Sequence, residues 1–235
     1  MALLLGDLGA GEIVLKRLAP EHIDEMVAAA VASFDELHQW MAWAEDVPTR
    51  ADVADFTRAA QSLFDDNVTW AFAMIEVSSG ELVGSCDVRV ESDTSCVEIG
   101  YWVRSDRTRR GYASAAAKAP TDAAFCCLDV DRVTIRMDQG NVASAMVPPR
   151  IGYRLLSEEA RKIETPRHTG KGWCGCATEI RELLTQCRSH VASDRSFARV
   201  PSTSDGSSLG QCNIIALAGA SATTRPREIT CVGRT

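Results

Sequence analysis

The stretch Arg107-Thr-Arg109-Arg110-Gly111-Tyr112-Ala113-Ser114 is where residue types and spacing could do chemistry most directly. A glycine-containing turn that opens a helix presents consecutive main-chain N–H groups that no earlier carbonyl can satisfy. The positive end of the helix dipole points the same way, which suits a polyanion. Gly111 lets the backbone approach a ligand closely, and Arg109 and Arg110 add positive charge. Taken in isolation, the same stretch reads equally well as a solvated basic loop. A second group of candidates lies further on: Cys174-Gly-Cys176 and Cys187-Arg-Ser-His190 could offer four ligands to a tetrahedral zinc ion. Those spacings are loose and nothing around them has the form of a zinc knuckle, so no metal is expected.

The elements that must hold the basic turn follow from periodicity. Residues 11–18 alternate like a first strand, and Pro20 stands where a helix can begin. Ile23, Met26, Val27, Ala30 and Val31 fall at helical spacing, and residues 51–64 form a second helix with Val53, Phe56, Ala59, Ala60 and Leu63 on one face. Residues 69–76 and 81–90 are strands joined by a Ser-Ser-Gly turn. A further strand covers 96–104, ending in Tyr101-Trp102-Val103, and an Ala-rich helix follows the basic turn over 112–128. Residues 132–137 are a strand, a helix starts near Val142, and 152–163 read as a strand. The order is α/β: a largely antiparallel meander, then a strand–helix–strand unit.

Composition divides the chain. The whole has 235 residues, nine cysteines and a net charge of −7, enough length for a full core and too acidic for a non-specific nucleic-acid binder. No apolar run reaches the roughly 20 residues of a membrane span, and Met-Ala-Leu-Leu-Leu-Gly lacks the basic start of a signal peptide. A cytoplasmic enzyme is expected, and with it no disulfide framework. Residues 1–173 hold all five Trp, all three Tyr, all four Lys and four of the cysteines, with a net charge of −9. Residues 174–235 hold none of those three types, but five cysteines, seven Arg and fifteen Ser or Thr.

Several runs, in order, carry a family resemblance. Glu98-Ile-Gly-Tyr-Trp-Val, Arg-Arg-Gly-Tyr-Ala-Ser, Asp131-Arg-Val-Thr-Ile-Arg-Met-Asp, Asn141-Val-Ala-Ser144 and Ile151-Gly-Tyr-Arg resemble the GNAT acetyltransferase superfamily. The upstream Leu37-His-Gln-Trp40-Met-Ala-Trp43-Ala is similar to its ribosomal-protein N-terminal acetyltransferase branch. The resemblance covers about residues 11–173 and implies a mixed, mostly antiparallel sheet flanked by helices. It implies an acetyl-CoA site in which Arg109, Arg110, Gly111, Tyr112, Ala113 and Ser114 hold the diphosphate through main-chain N–H groups. The pantetheine arm would pair with the strand end at Trp102 and Val103 like an added strand. The implied chemistry is attack of a free amine, of a small molecule or a protein N-terminus, on the thioester. Glu98 is then the candidate base, and Ser144 the proton donor to the departing thiolate, since the Tyr that many relatives carry is missing between Asn141 and Gly152. Asn141 belongs near the thioester, and Asn141 and Ser144 serve equally as helix caps. Trp40 and Trp43 fit a wall of the acceptor site, whose specificity is expected in the loops before Thr69 and around 164–172. A homodimer fits the resemblance, and a second reading is a protein that binds acetyl-CoA without catalysis.

The chain departs from the family in places. Thr108 and Arg109 replace a Gln or Arg and a Gly, Pro120 falls inside a helix, and Pro148-Pro149 should shorten the next one. At Trp173 the family continues with an apolar final strand such as Val-Trp-Val-Arg-Asp, whereas this chain reads Trp-Cys-Gly-Cys-Ala-Thr-Glu. The codons for those seven residues, read from the third base of the Trp codon, can spell Val-Trp-Val-Arg-Asp. A one-base slip near codon 173 would therefore give an atypical tail over 174–235, disordered across 188–210, and remove a central strand worth much of a domain's stability. Residues 180–184 or 213–218 are the stretches that could replace it.

Overall fold

The computed structural model describes residues 7–178, and they form one eight-stranded sheet with helices on both faces. In chain order the elements are β1 (Leu8–Ala10), β2 (Ile13–Arg17), α1 (Ile23–Ala32), α2 (Phe34–Trp40), α3 (Arg50–Asp65), β3 (Thr69–Glu76), β4 (Leu82–Val90) and β5 (Cys96–Val103). These are followed by α4 (Tyr112–Cys127), β6 (Arg132–Asp138), α5 (Val142–Ala145), α6 (Val147–Arg150), β7 (Arg154–Ala160) and β8 (Lys171–Thr178). The strand order is β1-β2-β3-β4-β5-β6-β8-β7, antiparallel throughout except at β5–β6. The expected strands and long helices are present, and β1, α2 and β8 join them.

Alternation along β3 sorts the core into two layers. Ala71, Ala73 and Ile75 pack with α1 and α3 through Met26, Ala29, Val53 and Ala60. Trp70, Phe72 and Met74 face the other way, into the layer that α4 covers with Ala116, Ala117 and Ala124. α3 is started by a reciprocal cap, with the Thr49 side chain accepting from Asp52 N–H while Asp52 accepts from Thr49 N–H.

α4 runs unbroken through Pro120. Proline has no N–H, so the carbonyl of Ala116 loses its helical donor. The buried Cys86 thiol of β4 donates to that carbonyl at 3.2 Å instead. Further on, Pro148-Pro149 has the expected effect: the helical segment after Asn141 is two short pieces, α5 and α6.

The expected loss of the final strand does not occur. Lys171–Thr178 lies between β6 and β7, pairing Met137 with Trp173 and Thr134 with Cys176 on one side and Glu158 with Trp173 on the other. A strand ladder is made of backbone groups, which any non-proline residue supplies. Cys174 and Cys176 are 1% and 6% exposed, and as small apolar side chains they fill the interior positions of the strand. The sheet thus continues past the compositional break at 173. Cys187, His190 and the stretches 180–184, 188–210 and 213–218 lie outside the described residues. Among the described residues no group of three His, Cys, Asp or Glu is placed to hold a metal ion, and no helix is long and apolar enough to cross a membrane.

Candidate active site

The sheet opens where β5 meets β6. The two strands pair in parallel at Cys96–Arg132, Val97–Val133 and Glu98–Thr134, and then diverge. From Ile99 to Val103, β5 stays bonded to β4 on one edge and is unpaired on the other. This slot has the hydrogen-bonding groups of a strand edge, which an extended chain can pair with. Tyr101, Trp102 and Val103 all lie along it.

The chain leaves β5 through a short turn and enters α4 at Gly111, whose φ of +83° is a left-handed conformation that suits glycine. Among the described residues, the main-chain N–H groups of residues 109–114 have no hydrogen-bond partner, the first bond of the helix being Ala115 N–H to Gly111 O. The six donors and the dipole of a four-turn helix therefore converge beside the mouth of the slot. Nothing lies within 4 Å of where a Cβ on Gly111 would be, so the approach is open.

The arginines of this turn behave differently from one another. Arg110 Nη1 donates to Glu76 Oε1 at 3.2 Å, and Arg107 bonds Glu81, so their charges are compensated within the protein. The added positive charge expected of Arg110 is therefore largely spent on Glu76. Arg109 makes no hydrogen bond or ion pair among the described residues, and stands at φ +63°, a conformation that suits glycine. Glu76 is the hub of the turn: only 5% exposed, it also accepts from Ser79 Oγ at 2.6 Å and from the Tyr112 hydroxyl. The Ser79 and Tyr112 hydrogen bonds hold its carboxyl below the ordinary glutamate range.

Across the slot, after β6, Asn141 caps α5, its Oδ1 accepting from Ser144 N–H at 3.1 Å. The Ser144 hydroxyl lies 3.4 Å from the Tyr101 hydroxyl of β5. Burial pushes the Tyr101 phenol up to about 12, against a smaller opposite effect of the Ser144 contact, so it remains protonated at neutral pH. Tyr101 thus places a phenol beside Ser144, although the chain has none between Asn141 and Gly152. Only the parallel β5–β6 register, invisible in a linear reading, brings it there.

Glu98 sits on the face of the sheet opposite α4, but both its oxygens are engaged. Oε1 takes Arg89 Nη2 at 3.1 Å and Oε2 takes Arg136 Nη1 at 2.6 Å. Two guanidinium donors leave it poorly suited to be the expected base, because a proton would have to displace a charge-assisted hydrogen bond. Over the same face, Trp43 lies 6.1 Å from Trp102, ring centre to ring centre. Thr165 Oγ1 donates to Gln39 O at 2.7 Å, and His168 Nε2 lies 3.2 Å from Trp40 O. The end of α2 and the loop before β8 are thereby joined into one rim. Asp138 anchors that loop: although burial opposes its ionisation, donors from Gly140 and Thr169 hold its carboxyl below the usual range.

Comparison with known proteins agrees with this geometry. Residues 12–154 match the acetyltransferase (GNAT) domain. YdaF of Bacillus subtilis (strain 168), provisionally named a ribosomal N-acetyltransferase, is 27% identical over 148 residues, covering 60% of this chain and 77% of its own. The fold is similar to that of RimL, a ribosomal L7/L12 alpha-N-protein acetyltransferase solved with coenzyme A, at a TM-score of 0.68 and 15% identity, covering 73% of this chain and 97% of RimL. It is also similar to Mycobacterium smegmatis RimJ, solved with a coenzyme A disulfide, at a TM-score of 0.65 and 19% identity over 80% of this chain and 92% of RimJ. With the split strands, the glycine turn and the match over most of the described residues, the chain belongs to the GNAT acetyltransferases, an acyltransferase family, in the branch that resembles the ribosomal-protein enzymes.

Proposed function

We propose that this protein transfers the acetyl group of acetyl-CoA to a primary amine, with a protein N-terminus as the acceptor class. The observation that carries the reading is the slot between β5 and β6 with the uncommitted N–H groups of residues 109–114 at its mouth. A diphosphate fits those donors with no contribution from Arg110, and Arg109 is the cation left to face it. The unpaired edge at Trp102 and Val103 offers main-chain groups to an extended arm. Acetyl-CoA, when bound, supplies an acetyl group activated as a thioester.

The protein's own groups then divide the work. Asn141 fixes the start of α5, so the Ser144 hydroxyl is held where it can give its proton to a departing thiolate. Tyr101, 3.4 Å away, is a neutral phenol that can replace that proton. Trp40, Trp43 and the loop before β8 form the wall against which an acceptor chain would lie. The ribosomal-protein enzymes among the relatives support a peptide acceptor, and the acidic balance of the chain argues against nucleic acid. A cytoplasmic location and a homodimer belong to the same proposal.

Thermal unfolding with and without acetyl-CoA tests the reading, together with thiol release on adding peptides that begin with Ser, Ala or Met. The expected result is stabilisation by acetyl-CoA and thiol release with at least one peptide. Stabilisation without thiol release from any amine would favour a binding protein without catalysis. No stabilisation at millimolar acetyl-CoA would overturn the proposal.

A further inference from the structure

Four carboxylates lie on or beside the sheet face that carries Glu98, Gly100 and Trp102, and their donors can be accounted for one at a time. Glu98 is held by Arg89 and Arg136. Glu91 accepts from Thr134 Oγ1 at 2.7 Å and from Arg136 at 2.5 and 3.1 Å. Glu159, on the edge strand, lies 3.7 Å from Arg136. Asp87 differs from them. Its Oδ2 is 2.9 Å from Arg89 Nε, but that N–H is not aligned for a hydrogen bond, and no donor among the described residues bonds either oxygen. The carboxylate is thus ion-paired with Arg89 but accepts no hydrogen bond, and its side chain is still 30% exposed.

Position gives this carboxylate its interest. Asp87 of β4 is the cross-strand partner of Gly100 of β5, and a Cβ on Gly100 would lie 2.7 Å from Asp87 Oδ1. Gly100 thus makes room for the carboxylate. Gly100 is also beyond the last β5–β6 pair, in the part of β5 that lines the slot. An arm bound along the slot would bring its reactive end past the oxygen that hangs over Gly100.

We propose that Asp87 is the base that takes the proton of the acceptor ammonium, an assignment that rests on the acetyl-transfer reading above. The proton passes from nitrogen to Oδ1, and the N–H bonding pair remains on nitrogen as the attacking lone pair. Asp87 becomes a neutral acid and later returns the proton to water. The new N–C bond forms as the C–S bond breaks with its electron pair on sulfur. The sulfur takes a proton from Ser144, Tyr101 replaces it, and the proton shed by the new amide nitrogen restores the Tyr101 hydroxyl, so the net release is one proton. Burial raises the Asp87 carboxyl above the ordinary aspartate range, against Arg89 on the same strand and with Glu98 on β5 adding to the rise. Arg136 and Glu91 lie further out, with Arg136 bonded to both Glu91 and Glu98.

The test compares the wild type with Asp87→Asn and Glu98→Gln, using acetyl-CoA and the three N-terminal peptides. Asp87→Asn should lower kcat/KM about 100-fold at pH 7 with acetyl-CoA stabilisation unchanged. Its deficit should shrink about tenfold per pH unit up to about pH 8, where an α-amino group deprotonates by itself. Glu98→Gln should lower kcat/KM less than Asp87→Asn does and keep a wild-type form of the pH profile, because Asp87 still takes the proton. Separately, carboxyl 13C NMR of aspartate-labelled protein should show Asp87 titrating above the ordinary value of about 3.9, with no need for turnover. An Asp87→Asn enzyme that keeps the wild-type pH profile, or an ordinary titration of Asp87, overturns the assignment while leaving the acetyltransferase reading intact. If acetyl-CoA binds and no peptide reacts, the carboxyl titration decides. If acetyl-CoA does not bind, the acetyl-transfer reading falls and takes this assignment with it.

Discussion

The contact between Cys86 and Ala116 makes a quantitative prediction about how a proline is carried inside α4. The carbonyl of Ala116 is buried and has lost its backbone donor to Pro120, and the Cys86 thiol at 3.2 Å takes that role. Burial holds the thiol well above its usual pKa, so it keeps its proton and its donor function at neutral pH. Cys86→Ala removes the donor and leaves a buried acceptor unmet, a cost of about 1–3 kcal/mol. Loss of the sulfur's packing adds about 1 kcal/mol, for a sum of roughly 2–4 kcal/mol. In a Pro120→Ala background the N–H of residue 120 reaches the same carbonyl, and Cys86→Ala should then cost only the packing part. The expected coupling is about 1–3 kcal/mol, and Cys86→Ser, which keeps a donor, should lie closer to wild type than Cys86→Ala. Urea unfolding of wild type, both single variants and the double variant measures it, with m-values checked for a common unfolded state. Costs that add to within about 0.5 kcal/mol would refute the idea that the thiol replaces the missing N–H.

Other expectations follow from single residues. Arg109 is held at φ +63°, so Arg109→Gly should stabilise the protein by about 1 kcal/mol, seen as a rise of roughly 2–4 °C in Tm. A Cβ on Gly84 would fall 2.2 Å from Trp102 O, so Gly84→Ala should push the end of β5 aside and sharply reduce stabilisation by acetyl-CoA in the thermal-shift assay. Glu76 has a depressed carboxyl pKa, so its contribution is present above the ordinary value of 4.5 and is lost as pH falls through the folded value. Urea titrations should therefore find Glu76→Gln less stable than wild type at pH 7, with the difference narrowing below pH 4.5. Sequencing the gene across codon 173 should show codons that spell Val, Trp or Arg, an aliphatic residue, Arg and Asp in the shifted frame. A codon set unable to do so rules out the slip.

Much of the fold is legible in the sequence because burial leaves periodic marks. The apolar run of β3, buried on both faces, and the helical spacing of Val53, Phe56 and Ala60 in α3, which faces the core on one side, are both marks of burial. The final strand leaves a fainter mark. Its ladder uses backbone groups, and its interior positions are the cysteines 174 and 176, whose period of two is easily lost beside glycines. The glycine turn is readable because unsatisfied N–H groups at a helix start are a local property. Asp87 over Gly100 and Tyr101 beside Ser144 are products of strand register, which a local pattern does not encode. The same register explains Glu98: the residue is on the expected face, and Arg89 and Arg136 arrive from neighbouring strands to occupy it.

The narrow clasp between β5 and β6 has a mechanical consequence. Five strands on one side and three on the other are joined across the sheet by three residue pairs, with α4 bridging the two parts. Bending and fraying should concentrate at this seam, and β6, β8 and β7 should detach together before the five-stranded part melts. A molecule lying along the slot would splice the two parts into one continuous ladder. Amide exchange along β6 and β8, far from any phosphate, should then slow when the slot is filled.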